Sequence, residues 1–352
     1  MGSSTPSFRL LFLADTHLGF DHPVRPRVER RRRGPDFLEN FRRVLTAAVE
    51  QQVDLVLHGG DLFFRSKVPA AIVDTVYSEL LEFAGHGIPL VIVPGNHERS
   101  RLPTSLFLQH PSIHVFDAPR TFTFKLGGAR VAIGGFPSVR RDVRDGFRKV
   151  VAATGLDDTT ADTRLLCMHQ TVEGASVGPR GYTFRDGHDV IRQRDLPTSC
   201  DAVLAGHIHR HQIIEVARDG SRSMPVVYPG STERTSFAEA AETKGYCRLE
   251  FERSTEGVWR LARTGFVALP ARPMVTVEVP TEMTPAGVTR LLNGVVRDVP
   301  PDAIVRFVTS GEVSPALRRE FSAARLSRSL PTTLNIHFGS GFFDRPRRES
   351  TS

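Results

Sequence analysis

The chain has 352 residues, 40% of them hydrophobic, which suits one large domain plus a small one, or two medium ones. No segment reaches the ~18 apolar residues that span a bilayer, and the polar start MGSSTPS lacks the apolar run of a signal peptide. Lys and Arg outnumber Asp and Glu 46 to 39, and the resulting charge of +7 favours polyanionic partners, although a compositional bias toward Arg would give the same excess.

Phe8 to Ala14 reads as a buried strand that runs into Asp15-Thr16-His17, a carboxylate and an imidazole at one strand end. Arg25, Arg27, Arg30, Arg31, Arg32 and Arg33 follow in one short stretch. They are read either as a solvated linker or as a phosphate-contacting loop beside the site. Asp36 to Gln52 predicts an amphipathic helix, with Asp36 and Glu39 at capping-box spacing and Phe37, Phe41, Val44, Leu45, Ala48 and Val49 on one face. The helix returns the chain to a second buried strand in VDLVLHGGDLFF, which ends in two glycines and Asp61. Pro69 opens another helix, and Gly85 and Gly87 close it. Pro89 to Pro94 is a third strand, ending in Gly95-Asn96-His97-Glu98.

Strands over Ala129–Phe136, Arg164–Met168 and Ala202–Ala205 continue the pattern; the second leads into His169 and the third into Gly206-His207-Ile208-His209. In a regular strand His207 and His209 would share a face, but the preceding glycine suggests a turn that aims them at different ions. Hairpins are expected around Asp219-Gly220 and Glu256-Gly257. After Pro270 a βαβαβ module follows: strands over Val275–Val279, Ile304–Thr309 and Thr332–Phe338, helices over Pro285–Val299 and Pro315–Arg325. The boundaries expected are 1–270, 271–340 and a mobile tail over 341–352.

A lone Asp at a strand end is usually a turn residue. Five strand ends loaded with ligand-type residues are hard to explain as loops, because ligands collect at the C-terminal ends of strands in open α/β sheets. Asp61 is therefore read as a carboxylate bridging two metal ions. The mixture of Asp, Asn and His suits Mn²⁺ first, with Fe or Zn²⁺ as alternatives, over Mg²⁺ or Ca²⁺. A shared carboxylate would keep two ions about 3.5–4 Å apart, as in two-metal attack on phosphorus.

Asp15-Thr16-His17, Gly60-Asp61, Gly95-Asn96-His97-Glu98, His169 and Gly206-His207-Ile208-His209 resemble, in order and spacing, the five motifs of the calcineurin-like metallophosphoesterases. Asp61-Leu62-Phe63, Met168-His169-Gln170, Tyr228-Pro229-Gly230-Ser231 and Ser236-Phe237 further resemble the SbcD and meiotic recombination eleven type of DNA repair nuclease. The resemblance implies an α/β fold, a two-sheet αββα sandwich, with a small α/β capping domain that contacts DNA. It implies one metal on Asp15, His17, Asp61 and His209, and another on Asp61, Asn96, His169 and His207. His97 would be the unligated catalytic residue, a general acid or transition-state stabiliser. The implied setting is cytoplasmic and nucleoid-associated, with DNA as substrate, an SbcC-like SMC-type ATPase as partner, a homodimer, and no membrane.

Two departures stand out. Family members often carry a histidine three residues after the bridging Asp, where this chain has Phe64, which puts the exonuclease–endonuclease balance in question; His58 is no assumed substitute. The helices that dock the ATPase are not evident after Phe338. Rival readings are a phosphodiesterase for a small substrate such as a cyclic nucleotide, and a DNA-end scaffold with a weak site. Glu98 is read as orienting His97 or as a surface residue. The three cysteines, Cys167, Cys200 and Cys247, are scattered and odd in number, so they are read as free thiols in a reducing compartment.

Overall fold

A computed structural model describes residues 6–21, 32–99, 102–103, 110–218, 223–339 and 342. In chain order, β1 (Ser7–Leu13), α1 (Gly34–Glu50), β2 (Leu55–His58), α2 (Ala70–Ala84), β3 (Leu90–Ile92) and β4 (Ile113–Val115) come first. Then come β5 (Arg120–Leu126), β6 (Ala129–Gly135), α3 (Val143–Ala152), β7 (Thr163–His169) and the two-residue strands β8 (Thr171–Val172), β9 (Ser176–Val177), β10 (Tyr182–Thr183) and β11 (Val190–Ile191). Next are β12 (Ala202–Gly206), β13 (Gln212–Ala217), β14 (Ser223–Tyr228), β15 (Gly245–Arg253) and β16 (Trp259–Ala268).

Two six-stranded sheets result, ordered β16-β15-β1-β2-β3-β4 and β13-β14-β12-β7-β6-β5. Their central strands are parallel. Alternation along each strand explains the sandwich. Phe8, Leu10 and Phe12 of β1 enter the core shared by the sheets, whereas Leu11 and Leu13 pack outward with α1 and α2. Leu165 and Cys167 of β7 face the same inner core, and Leu166 and Met168 face α3. Both faces are buried, which is why these strands read as unbroken apolar runs. Each such Leu contributes about 2 kcal/mol by burial. The layers are thus αββα, as the motif resemblance implies.

Helix α1 begins two residues before the expected start, so Asp36 lies inside its first turn. Its buried face also includes a polar residue, Asn40, whose amide donates to the Thr232 and Pro270 carbonyls at 2.9 and 3.1 Å. Strands β4 and β5 and helix α3 were not anticipated. The Gly127 and Gly128 turn, both at positive φ, joins β5 to β6. No described helix is long and apolar enough to cross a membrane. The turn at Asp219-Gly220 lies outside the described residues.

The chain divides into two compact units, residues 1–20 with 34–271, and residues 21–33 with 272–352. The second holds β17 (Met274–Glu278), α4 (Pro285–Asp298), β18 (Ile304–Val308), α5 (Pro315–Glu320), α6 (Ala323–Ser329) and β19 (Asn335–Phe338), with a parallel sheet ordered β17-β18-β19. The helix expected over Pro315–Arg325 is in fact two short ones, α5 and α6, because Ser322 starts a new helix at its N-cap position. The last strand begins at Asn335 rather than Thr332. Phe342, placed in the mobile tail by sequence, is buried against Phe321 and Phe338.

Candidate metal centre

Five strand ends bring the candidate ligands together. Asp15 and His17 follow β1, Asp61 follows β2, Asn96 and His97 follow β3, His169 closes β7, and His207 and His209 follow β12. Asp15, His17, Asp61 and His207 all have positive φ, at 52°, 44°, 53° and 85°. Non-glycine residues adopt this region rarely, so surrounding structure must hold them there. It does so by pairing the turns: Asp15 N–H donates to the Gly60 carbonyl and His17 N–H to the Asp61 carbonyl, at 2.9 and 3.0 Å. Close approach is also needed. A Cβ on Gly95 would lie 2.1 Å from Asp61 Oδ1, and one on Gly60 would lie 2.3 Å from His169 Nδ1.

Two clusters form. In the first, His17 Nε2 and His209 Nε2 stand 3.0 Å apart, and His209 Nε2 is 3.8 Å from Asp15 Oδ1. In the second, Asn96 Oδ1 lies 2.9 Å from both His169 Nε2 and His207 Nδ1, and His169 Nε2 is 3.3 Å from Asp61 Oδ2. His207 and His209 therefore diverge, and the bend begins where β12 ends at Gly206. Two imidazole nitrogens cannot stand 3.0 Å apart with bare lone pairs facing each other; a proton or a cation must lie between them. Groups of side chains able to hold a metal ion include Asp15–His17–His209 and Asp15–Asp61–His169. The donor set of carboxylate, amide and imidazole fits borderline divalent ions.

Burial and mutual contact set the charge states of these side chains. Burial raises the Asp15 carboxyl. Burial would raise Asp61 too, but the charge and hydrogen bond of His169 outweigh it and hold Asp61 well below the usual carboxylate range. Burial disfavours charge on His169 as well, yet Asp61 and Asp15 prevail and bring it up to about 9. Burial pushes His207 down to about 3, and takes His17 well below its usual value.

His97 stands at the rim, its side chain 37% exposed, with Nε2 3.9 Å from Asp61 Oδ2. Its Nδ1–H donates to the Phe64 carbonyl at 2.7 Å, and its backbone N–H donates to Asp61 Oδ1 at 2.9 Å. The Phe64 ring packs against His97 and His17, with centroids 5.6 and 5.9 Å away.

Three supporting residues were missed or misread. Glu98 is neither a surface residue nor a partner of His97: it is buried, and its two oxygens accept the Phe63 and Gly95 N–H groups, both at 2.6 Å. Burial, then the Asp61 charge, push its carboxyl up to about 8. His58 is also buried; its Nδ1 accepts the Gly60 N–H, so Nε2–H donates to the Thr16 hydroxyl, which donates on to the Leu62 carbonyl. Glu239 lies 3.3 Å from His209 Nδ1. Its signal was present, since Ser236-Phe237-Ala238-Glu239 has capping-box spacing. Of the basic loop, Arg25, Arg27, Arg30 and Arg31 lie outside the described residues. Arg32 pairs with Asp21 at 2.7 Å, and Arg33 is buried, in the compact unit that includes the C-terminal module.

The family model for calcineurin-like phosphoesterases matches residues 8–211, the span that carries all five clusters. The DNA double-strand break repair protein Mre11 of Methanopyrus kandleri is 25% identical over 262 residues, 70% of this chain and 54% of that protein. Its namesake in Haloferax volcanii is 30% identical over 319 residues, covering 89% of this chain and 64% of the relative. One component of the nuclease SbcCD of Bacillus subtilis is 25% identical over 282 residues, 72% and 68% of the two chains. The chain thus spans between half and two thirds of the length of these Mre11 relatives. With its strand-end clusters inside the matched span, the chain belongs to the calcineurin-like phosphoesterases and is a metal-dependent hydrolase of phosphate esters.

Proposed function

We propose that the chain is a two-metal DNA nuclease of double-strand-break repair, cutting phosphodiester bonds at ends or hairpins. Asp15, His17, Asp61 and His209 would hold one ion, and Asp61, Asn96, His169 and His207 the other, with manganese as the ion. One observation supports this: the Asp61 carboxylate lies between the clusters, 3.3 Å from His169 Nε2 on one side and, on the other, grouped with His17 and with His97 at the rim, their ligand atoms within 4.8 Å of one another. The names of the relatives, Mre11 and the nuclease SbcCD, support DNA as the substrate. On the same basis the working assembly is a homodimer with an SMC-type, SbcC-like ATPase.

The chemistry that such an ion pair supplies when bound is charge neutralisation at phosphorus and a more acidic attacking water. The chain's own residues do the rest. Asp61 lies between the two clusters, and the paired turns hold it in a strained backbone state. Phe64 keeps a proton on His97 Nδ1. A second proton, at Nε2, makes the imidazolium, which would give that proton to the leaving oxygen and return to neutral imidazole, or would stabilise charge on the phosphate. Phe64 occupies the place of a second imidazole, so proton delivery falls to His97 alone.

The test is manganese-dependent cleavage of end-labelled duplex and hairpin DNA, run beside bis-p-nitrophenyl phosphate. Cleavage of both, with loss of DNA cleavage in His97→Ala while ion uptake persists, is the expected result. Turnover of the small diester with no DNA cleavage would sink the nuclease reading in favour of a small-substrate phosphodiesterase.

A further inference from the structure

His169 and His209 are both candidate ligands with one ring nitrogen turned toward the clusters, but their other nitrogens meet different acceptors. His169 Nδ1–H donates to a neutral group, the Gly59 carbonyl, at 2.8 Å. His209 Nδ1 meets the carboxylate of Glu239. That carboxylate is gripped from several sides. The Thr235 and Ser236 hydroxyls donate to Oε1 at 2.6 and 3.3 Å, and the Thr235 N–H donates to Oε2 at 3.4 Å. Lys244 Nζ closes the far side, 2.7 Å from Oε2.

Lys244 has a fully enclosed side chain, and its ammonium also donates to Glu242 and to the backbone carbonyl of His209, both at 2.8 Å. Glu242 is in turn bound by Arg210 at 3.0 Å. Burying an ammonium costs several kcal/mol unless close acceptors compensate. Here three acceptors do, and one of them is the carbonyl of His209 itself. A lysine serving only the core would have no reason to reach it. His209 is thereby fixed twice, at its ring through Glu239 and at its backbone through Lys244.

Resting on the two-ion reading above, we infer that Glu239, anchored by Lys244, is the positioning residue of His209 and makes the two ion positions inequivalent. The carboxylate keeps the proton on Nδ1, turns the Nε2 lone pair toward Asp15 and His17, and increases the basicity of that nitrogen. The Asn96–His169–His207 side has no carboxylate behind His169 and depends on a backbone carbonyl instead. Among the described residues, the outer ring nitrogen meets a carboxylate at His209 and a backbone carbonyl at His169.

The experiment is calorimetric titration of manganese into the metal-stripped full chain, wild type against Glu239→Gln, with thermal unfolding of the metal-free proteins alongside. Gln keeps the size and one acceptor oxygen but carries no charge. The wild type should take up two ions; the variant should bind one of them about 10–100-fold more weakly and the other unchanged, even where the weakened Lys244 contact lowers its metal-free unfolding midpoint. Unchanged affinity at both positions overturns the inference. So does equal weakening of both with a lowered midpoint, which marks a merely structural strut. If Glu239→Gln does not fold, Ser236→Ala removes one donor to Glu239 and leaves the charge in place. It should weaken the same ion about 3–10-fold, and no loss there overturns the inference equally. A wild-type chain that binds fewer than two ions overturns the two-ion reading and this inference with it, a result distinct from an unaffected variant.

Discussion

The metal centre and the C-terminal module use their residues in opposite ways. Eight described non-glycine residues have positive φ; four are candidate ligands, and in the compact unit with the module only Asp21 does. The centre buries Asp15, Asp61, His17 and His169 together, against the usual exclusion of ionisable groups from the interior. The module's described helices obey local rules. Thr284 and Ser314 cap α4 and α5, Pro285 and Pro315 open them, and Val288, Leu292, Val305 and Phe307 fill an apolar core. None of the side-chain groups able to hold a metal falls in the module among the described residues. Strained turns and clustered buried acids and imidazoles gather at the candidate centre, whereas the module's described elements follow local capping and packing rules, with Arg272 as a buried charge met by close acceptors.

The sharpest way to break the comparison is Asp61→Asn. Removing the shared charge should lower phosphodiesterase turnover by more than about 10³-fold, beyond the ~10–100-fold typical of groups that merely orient a ligand. It should also reduce manganese uptake, while the module's unfolding is untouched. Retained two-ion binding would mean that Asp61 is not shared.

On the module side the corresponding change is Arg272→Met. Arg272 is buried, and its guanidinium donates to the Asp302 carbonyl, to Asn335 Oδ1 and to the Thr333 carbonyl at 2.6, 2.6 and 3.1 Å. Leaving those acceptors unmatched should cost about 3 kcal/mol. Denaturant unfolding should register that loss with manganese affinity unchanged; a parallel fall in affinity would show that the two regions are coupled.

Gly95→Ala returns to the centre with a smaller effect. The new methyl would fall 2.1 Å from Asp61 Oδ1 and 2.3 Å from its backbone nitrogen, so either the Asp61 turn or the Asn96 turn must move. A misplacement of that order lowers turnover about 10²-fold. Activity within a few-fold of wild type would show that the centre is looser than its geometry implies.

The contrast also explains what could be read from sequence. Asp15, His17, Asp61, Asn96, His169, His207 and His209 were legible because each follows an apolar strand, and the strand's end fixes where its cargo sits. Glu98, His58 and Lys244 were not, because they work through partners remote in sequence: Glu98 on Phe63, His58 on Thr16, Lys244 on the His209 carbonyl. Residue types alone make Glu98 look like surface and Lys244 like a solvated charge. Asn40 was hidden for the opposite reason, since a single polar residue on an apolar helix face is noise until its acceptors are known. In the module, Pro315 announced α5, but Ser322, which splits the helix, is an ordinary residue in a polar stretch. Phe342 looked like tail because its partners, Phe321 and Phe338, belong to other elements.

The smallest effect concerns how the centre tolerates acid. Burial holds His58 at about 3 in the folded chain, against 6.5 for a free histidine. Folded His58 therefore binds its proton less readily than unfolded His58, so its contribution to stability is complete above about pH 6.5 and is lost as pH falls toward 3. Between pH 8 and pH 5 that loss amounts to about 2 kcal/mol. His58→Gln has no such proton to take up on unfolding. The variant should be less stable than wild type at pH 8, because it forfeits the bonds to Gly60 and Thr16, and the gap should narrow by that amount at pH 5. Urea unfolding of the metal-free proteins at the two pH values measures it. A gap that stays constant or widens would mean that His58 takes up its proton in the folded state, and that the turn carrying Asp61 is open to water rather than sealed beneath it.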